Sequence, residues 1–217
     1  MRPKQAQSFV LPERPSMEHE AELRAEGYAR VAGIDEVGRG PLAGPVCAAA
    51  VVLPQDFTHS ILTDSKKLSA SKREQLYVEL TTRPVIQWSV VLIEVQEIDR
   101  INILQATHLA MKRALAALNP TVDAALIDGL PVPRFPLPQR ALVKGDSRSF
   151  SIAAASVIAK VTRDRLMAEL GRQHPEYGFE INKGYPTPQH LAALRKYGPT
   201  VHHRHSFTPV AQMELGL

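Results

Sequence analysis

The segment Val46-Cys-Ala-Ala-Ala-Val-Val-Leu53 constrains this chain more than any other. It is a wholly apolar run of strand length, so it belongs in a sheet covered on both faces. It follows closely on a glycine-rich turn, Gly38-Arg39-Gly40-Pro41, which itself closes a strand-like stretch over Tyr28–Ile34. With Leu42 and Ala43 the turn also matches a dinucleotide-binding fingerprint that has alanine in its third glycine position. That fold requires the turn to open a helix, and the apolar run leaves no room for one. Asp35 and Glu36 would also press negative charge towards a pyrophosphate. A glycine turn beside acids is better suited to letting a polynucleotide backbone approach closely.

The remaining pattern extends this start into an α/β domain. Ser71-Lys-Arg-Glu74 reads as a capping box, with Leu76, Tyr77 and Leu80 on one helix face and Pro84 as the stop. Val85–Val95 is a third strand. Ile98, Ile101, Leu104, His108, Met111, Leu115 and Leu118 recur at helical spacing, predicting one amphipathic helix closed by Asn119-Pro120. Val122–Ile127 is a fourth strand that delivers Asp128-Gly129. A proline-rich loop leads to a short fifth strand, Arg140–Lys144, ending at Gly145-Asp146. Ser151–Leu170 is a long helix with Gly171 as its expected stop, and a last helix runs from Thr187 and Pro188 to Gly198. Three strands in succession, then alternation, predict a mixed sheet flanked by helices and followed by a small helical region. The expected divisions are a flexible N-terminal extension over 1–27, a main domain over 28–170 and a helical region over 171–217. Within the extension, Glu18–Ala25 reads as a short exposed helix, and Met17 is a conceivable alternative start.

Composition narrows the setting. One cysteine, Cys47, excludes an internal disulfide and any cysteine-rich zinc site; in a buried strand it reads as a small core residue. No apolar run approaches the ~18 residues of a membrane span, and the N-terminus lacks an apolar signal core. A soluble, cytoplasmic, monomeric protein is expected. The formal charge of +4 over 217 residues permits a nucleic-acid partner without demanding one.

The chemistry clue is the placement of acids. Asp35, Glu36, Asp128 and Asp146 each follow an apolar strand-like run and precede glycine or a small-residue turn. Taken singly, such an acid is an ordinary solvated loop entry. Four converging at strand ends would repel one another unless cations held them, and hard oxygen donors suit Mg²⁺ or Mn²⁺. Two such ions can activate water and stabilise the leaving oxygen in phosphodiester hydrolysis. Neighbouring strand residues point to opposite faces. Asp35 and Glu36 can therefore share a site only if the strand ends and the backbone turns there, which Val37-Gly38 would allow.

These residues sit in recognisable surroundings. Gly33-Ile-Asp-Glu-Val-Gly-Arg-Gly-Pro-Leu-Ala-Gly-Pro45 resembles the signature of the bacterial type 2 ribonuclease H family, ribonuclease HII. In order, Asp64-Ser-Lys-Lys-Leu68, Asn102–Thr107, Leu126–Gly129, Lys144–Ser147, Ile152–Asp164, Asn182–Thr187 and His203–Phe207 resemble it too. The likeness covers about residues 28 to 210. It implies a ribonuclease H-like fold with a C-terminal helical region. It also implies an endonuclease that hydrolyses the RNA strand of RNA–DNA hybrids and nicks duplex DNA on the 5′ side of embedded ribonucleotides. Carried over residue by residue, Asp35, Glu36, Asp128 and Asp146 match the family's metal-binding acids, for two divalent ions. Gly38, Arg39 and Gly40 match its ribonucleotide-sensing turn, and Tyr185 matches the tyrosine that reads the ribonucleotide–deoxynucleotide junction.

Other residues carry plainer expectations. Lys66 and Lys67, just before a helix, are either phosphate contacts or simply solvated. His108 reads as a core or boundary histidine. His202, His203 and His205, beside Arg204, read as surface or substrate-facing rather than a zinc cluster, since no cysteine or paired acid accompanies them. Asp164, four residues after Lys160, reads as a helix-surface ion pair. The competing functional reading is a non-catalytic binder with the same fold. Concentrated negative charge facing a phosphate backbone argues against it.

Overall fold

The computed structural model of the chain describes residues 14–214. In chain order the elements are α1 (Glu18–Ala25), β1 (Val31–Val37), β2 (Val46–Val52), α2 (Ala70–Thr82), β3 (Gln87–Ile93), α3 (Val95–Ile101), α4 (Ile103–Ala116), β4 (Ala124–Asp128) and β5 (Gln139–Leu142). They continue with α5 (Phe150–Gln173), α6 (Phe179–Asn182), α7 (Pro188–Tyr197) and α8 (Thr208–Glu214). The five strands form one mixed sheet in the order β3-β2-β1-β4-β5. β1, β2 and β3 pair antiparallel, whereas β4 lies parallel to β1 and β5 parallel to β4. The expected α/β architecture is therefore the observed one, and β2 is the strand that the glycine turn leads into.

Alternation along β1 and β2 splits the core into two layers. Cys47, Ala49 and Val51 pack with Ala154, Val157 and Ile158 of α5. Ala32, Ile34, Ala48 and Ala50 pack with Ala106, Ala110 and Met111 of α4 on the other face. The small residues let α5 lie close. A Cβ on Gly33 would sit 2.2 Å from the Ser151 carbonyl carbon, so only glycine admits the helix there. Cys47 is fully buried, and burial pushes its thiol up to about 12, consistent with a core role. A third cluster, including Leu42, Met167, Tyr177, Phe179 and Leu194, ties the C-terminal helices to the segment after the glycine turn.

Four local expectations are corrected. The cap of α2 is Ser69, whose Oγ accepts from the Lys72 amide at 3.3 Å; Ser71 lies inside the first turn. The predicted single amphipathic helix is two, because Asn102 takes φ +67° and its side chain accepts from the Gln105 amide at 3.1 Å, opening α4. Apolar periodicity runs through the break because the helices on either side bury the same layer. Gly171 does not stop α5. It lies within the helix, where a Cβ would meet the Glu180 amide nitrogen at 2.6 Å, so it serves close packing of α6.

The fourth correction concerns α1, which forms as expected but is not an exposed helix. Leu23 is buried, and Glu20 is fully buried with its Oε1 accepting from Ser149 Oγ at 2.6 Å and from the Ser151 amide at 2.9 Å. Glu20 thus supplies a carboxylate to the start of α5 from a distant part of the chain. The described part of the N-terminal extension is docked, while residues 1–13 lie outside the described residues. Among the described residues no helix is long and apolar enough to cross a membrane.

Candidate functional site

Asp35 and Glu36 lie within β1 rather than beyond its end, which corrects the expected turn at this point. Antiparallel pairing continues through Asp35↔Ala49, Glu36↔Ala48 and Val37↔Cys47. The two side chains accordingly leave on opposite faces. Asp35 lines a small cleft of about 210 Å³ with Ser156 and Lys160 of α5. Glu36 lines a neighbouring cleft of about 360 Å³ with Leu104, Thr107 and His108 of α4. They nonetheless share one site, because parallel pairing with β4 ends at Ile34↔Ile127. Glu36 also borders the first cleft, together with Asp35.

Asp128 ends β4, and Asp146 sits in a short 3-10 turn, Gly145–Ser147, directly before α5. Asp128 Oδ1 accepts from the Gly145 amide at 2.6 Å, which locks the two loops together. Asp35 Oδ1 accepts from the Glu36 amide at 2.7 Å. Burial dominates the electrostatics of the acids, and their charges add to it. Burial, and then the charges of Glu36, Asp128 and Asp146, hold the Asp35 carboxyl well above the usual carboxylate range. Burial, with Asp64 and Asp128 nearby, pushes Asp146 up to about 6. Glu36 and Asp128 are raised as well, mainly by burial; Arg39 opposes the rise at Glu36.

The donor set is all hard oxygen, and it is short of positive charge. Lys66 faces it, with Lys160 lining the same cleft. Burial works against the charge of Lys66, but Asp35, Asp64, Asp146 and Asp128 together outweigh that and hold its pKa above the ordinary lysine value. Among the described residues no three carboxylate, imidazole or thiol groups are already gathered into a ready-made cage. Each acid is instead engaged locally, Glu36 with Arg39 Nη1 at 3.5 Å and Asp146 with Asp64. Buried, mutually repelling carboxylates of this kind fit a divalent cation chemically.

Of the residues expected to face substrate, Lys66 and Tyr185 border the same opening, with Gly40 beside the Tyr185 ring. Tyr185 lines the cleft beside Asp35, Glu36 and Lys66, and it is 41% exposed. A Cβ on Gly40 would lie 3.5 Å from Tyr185 Cε1, so the turn and the ring are neighbours. Gly38 takes φ +94°, where a side chain would be strained. Lys67 points elsewhere, donating to Ser147 Oγ at 3.1 Å. His108 is half-buried and borders the cleft that holds Glu36 and Asp128. Asp164 accepts from Lys160 Nζ at 2.8 Å, the expected ion pair.

The histidine expectation needs correction. His203 is fully buried, not substrate-facing, and burial followed by the charge of His190 pushes its pKa down to about 3. His202 is half-buried against the His174 ring, and the His205 amide donates to Asp99 Oδ2 at 3.0 Å. Four contributors escaped sequence reasoning. Asp64 partners Asp146, His190 contacts the Tyr185 backbone, and Arg163 and Arg204 bond the backbone around the glycine turn. Asp64, Arg163 and Arg204 lie in motifs already noted, but nothing local distinguishes their roles.

A family model described as Ribonuclease HII matches residues 32–210. A ribonuclease HII of Ruegeria pomeroyi is 55% identical over 197 residues, covering 90% of this chain and 83% of its own. One from Geobacillus thermodenitrificans is 53% identical over 196 residues, covering 90% and 75%. Among solved structures, the ribonuclease H2 of Pyrococcus horikoshii superposes with a TM-score of 0.74 at 26% identity, over 86% of this chain and 98% of that one.

Proposed function

The chain belongs to the ribonuclease HII family and has the ribonuclease H-like fold, and from that premise we propose a metal-dependent endonuclease specific for ribonucleotides in duplexes. It is a ribonuclease H. In our reading it hydrolyses the RNA strand of RNA–DNA hybrids and cuts duplex DNA on the 5′ side of a single ribonucleotide, leaving 3′-hydroxyl and 5′-phosphate ends. Its role is the removal of misincorporated ribonucleotides, in the cytoplasm, as a monomer. Residues 28–170 are the catalytic domain and 171–217 the substrate-binding region.

The observation that carries this reading is the mutual perturbation of Asp35, Glu36, Asp128 and Asp146 beside the Gly38–Gly40 turn and Tyr185. The four acids would hold two Mg²⁺ or Mn²⁺ ions. When bound, these supply the charge that offsets the carboxylates and lower the pKa of a water to make it a nucleophile. The chain's own residues do the rest. Asp128 is held by the Gly145 amide, so the β4 and α5 loops present their acids together. The 2′-hydroxyl distinguishes RNA from DNA, and the Gly38-Arg39-Gly40 backbone is bare enough to approach it. Tyr185 offers a ring to stack on the following sugar and a phenolic hydroxyl. Lys66 balances the acids and would meet the phosphate, whereas Lys67 is turned to Ser147.

The test is a nicking assay on duplex DNA carrying one ribonucleotide, with Mg²⁺, with Mn²⁺ and with chelator. Cutting at the ribonucleotide that depends on added metal is expected. No cut under either metal would reject the reading.

A further inference from the structure

Among the described residues two arginines are buried completely, Arg163 and Arg204, and neither is spent on the acids. Arg204 donates from Nη2 to the Gly38 carbonyl at 2.6 Å, from Nη1 to Arg39 at 3.0 Å, and to Gly44 from Nε at 3.0 Å and Nη2 at 2.8 Å. Arg163 donates to the carbonyls of Pro45 at 2.9 Å, Ala43 at 3.1 Å and Lys183 at 3.0 Å. All seven bonds go to backbone carbonyls, and six of them fall within residues 38–45. Burying a guanidinium without a carboxylate is costly, so two of them around one short loop imply that the loop's conformation matters.

The geometry of a trans peptide says what is being held. Its C=O and N–H point in opposite directions. Carbonyls of Gly38 and Arg39 drawn inward onto Arg204 therefore turn the amides of Arg39 and Gly40 outward, as two adjacent donors. Glycine at 38 is what admits the clamp, since a Cβ there would lie 2.3 Å from Arg163 Nε. The C-terminal region completes the frame. The Arg204 amide donates to the Leu42 carbonyl at 2.8 Å, the Gly44 amide to His202 at 2.8 Å and the Leu42 amide to Gly184 at 2.8 Å.

We propose that Arg204 and Arg163 are positioning residues for ribonucleotide recognition, fixing the Gly38–Gly40 turn so that its outward amides meet the 2′-hydroxyl. This rests on the reading of that turn given above. Lysine cannot replace either arginine, because one ammonium does not reproduce the planar fork that reaches several carbonyls at once.

The test uses the full chain in Ca²⁺, in place of a metal that supports cutting. Affinity is measured for a duplex with one ribonucleotide and for the same duplex in all-DNA form. For Arg204→Lys the ratio of the two affinities is expected to fall about tenfold, with all-DNA binding within about twofold of the unaltered chain. A global loss of structure would weaken both duplexes alike. Gly40→Ala, whose added methyl meets Tyr185 only at ordinary contact distance, probes the turn directly. If Gly40→Ala loses discrimination and folded Arg204→Lys keeps it, the turn reading stands and the arginine proposal is overturned. If neither variant changes the ratio, the turn reading falls and takes the proposal with it. Arg163→Lys is the second variant should Arg204→Lys not fold. If neither lysine variant folds, the arginines are structural only and the proposal is overturned.

Discussion

His190 Nε2 lies 3.0 Å from His203 Nε2, and the partners on either side permit one arrangement of protons. His190 Nδ1 faces the Tyr185 carbonyl at 2.9 Å and must donate to it. His203 Nδ1 faces the Thr200 amide at 2.9 Å and must accept from it. Two neutral rings then complete the chain, His203 Nε2–H donating to His190 Nε2. Both rings are buried, and Tyr177 and Phe179 enclose them. The pair thus anchors the backbone of Tyr185 without touching the acids.

Protonating either ring breaks this chain, and the stability of the protein should record it. The folded pKa of His203 is pushed down to about 3, against about 6.5 for a free histidine. Between those values the unfolded chain binds a proton that the folded chain refuses, so stability falls as pH drops from about 6.5. The stability advantage of the unaltered protein over His203→Gln should shrink as pH falls from 7 to 4 in denaturant titrations. A pH-independent difference would contradict the neutral pair.

Asp35→Asn should lose nicking by about 1,000-fold, equivalent to about 4 kcal/mol of transition-state stabilisation, yet melt no lower than the unaltered chain in chelator. The amide oxygen can still accept from the Glu36 amide, and a buried charge that repels Glu36, Asp128 and Asp146 is gone. Single-turnover nicking and thermal melting test both halves. Near-normal cutting by the folded variant would sink the metal assignment.

Asp146 titrates in the opposite sense to His203. Its folded pKa, raised to about 6, lies above the ordinary value of about 3.9. The stability it contributes in the protonated form is present below that ordinary value and lost as pH rises through about 6. In chelator, Asp146→Asn should therefore gain stability relative to the unaltered chain as pH rises from 4 to 7. Added Mg²⁺ should shrink that gain, because the cation offsets the charge.

Glu20→Ala should destabilise the fold by about 2–3 kcal/mol. The buried Ser151 amide and Ser149 hydroxyl would each lose their acceptor at the head of α5. Calorimetry on the full chain measures the loss. A change under about 0.5 kcal/mol, the range of ordinary surface substitutions, would show that α1 is not part of the scaffold.

Much of the site was legible because its signals are local. Asp35, Glu36 and Asp128 stand at the ends of apolar runs, Asp146 follows one through a glycine, and Thr187 with Pro188 marks the start of α7. What misled was also local. Apolar spacing continues across Asn102 because it reports which face is buried and not the sign of φ at one residue. Gly171 reads as a stop because glycine commonly ends helices; here the space it frees belongs to Glu180, which meets it from α6.

The succession of strands and helices along the chain, the candidate acids and the glycine turn were written in the sequence by itself, since periodicity and turn chemistry act over a few residues; the order of strands in the sheet was not. Tertiary structure decided how Asp35 and Glu36, leaving β1 on opposite faces, come to share one opening: β4 stops pairing at Ile34. It also decided that Glu20 would cap a helix start 131 residues away and that Arg204 would hold the Gly38 carbonyl 166 residues away. Such bonds form only when folding brings distant backbone into burial, and a buried carbonyl or amide leaves no mark on the residues beside it in the chain.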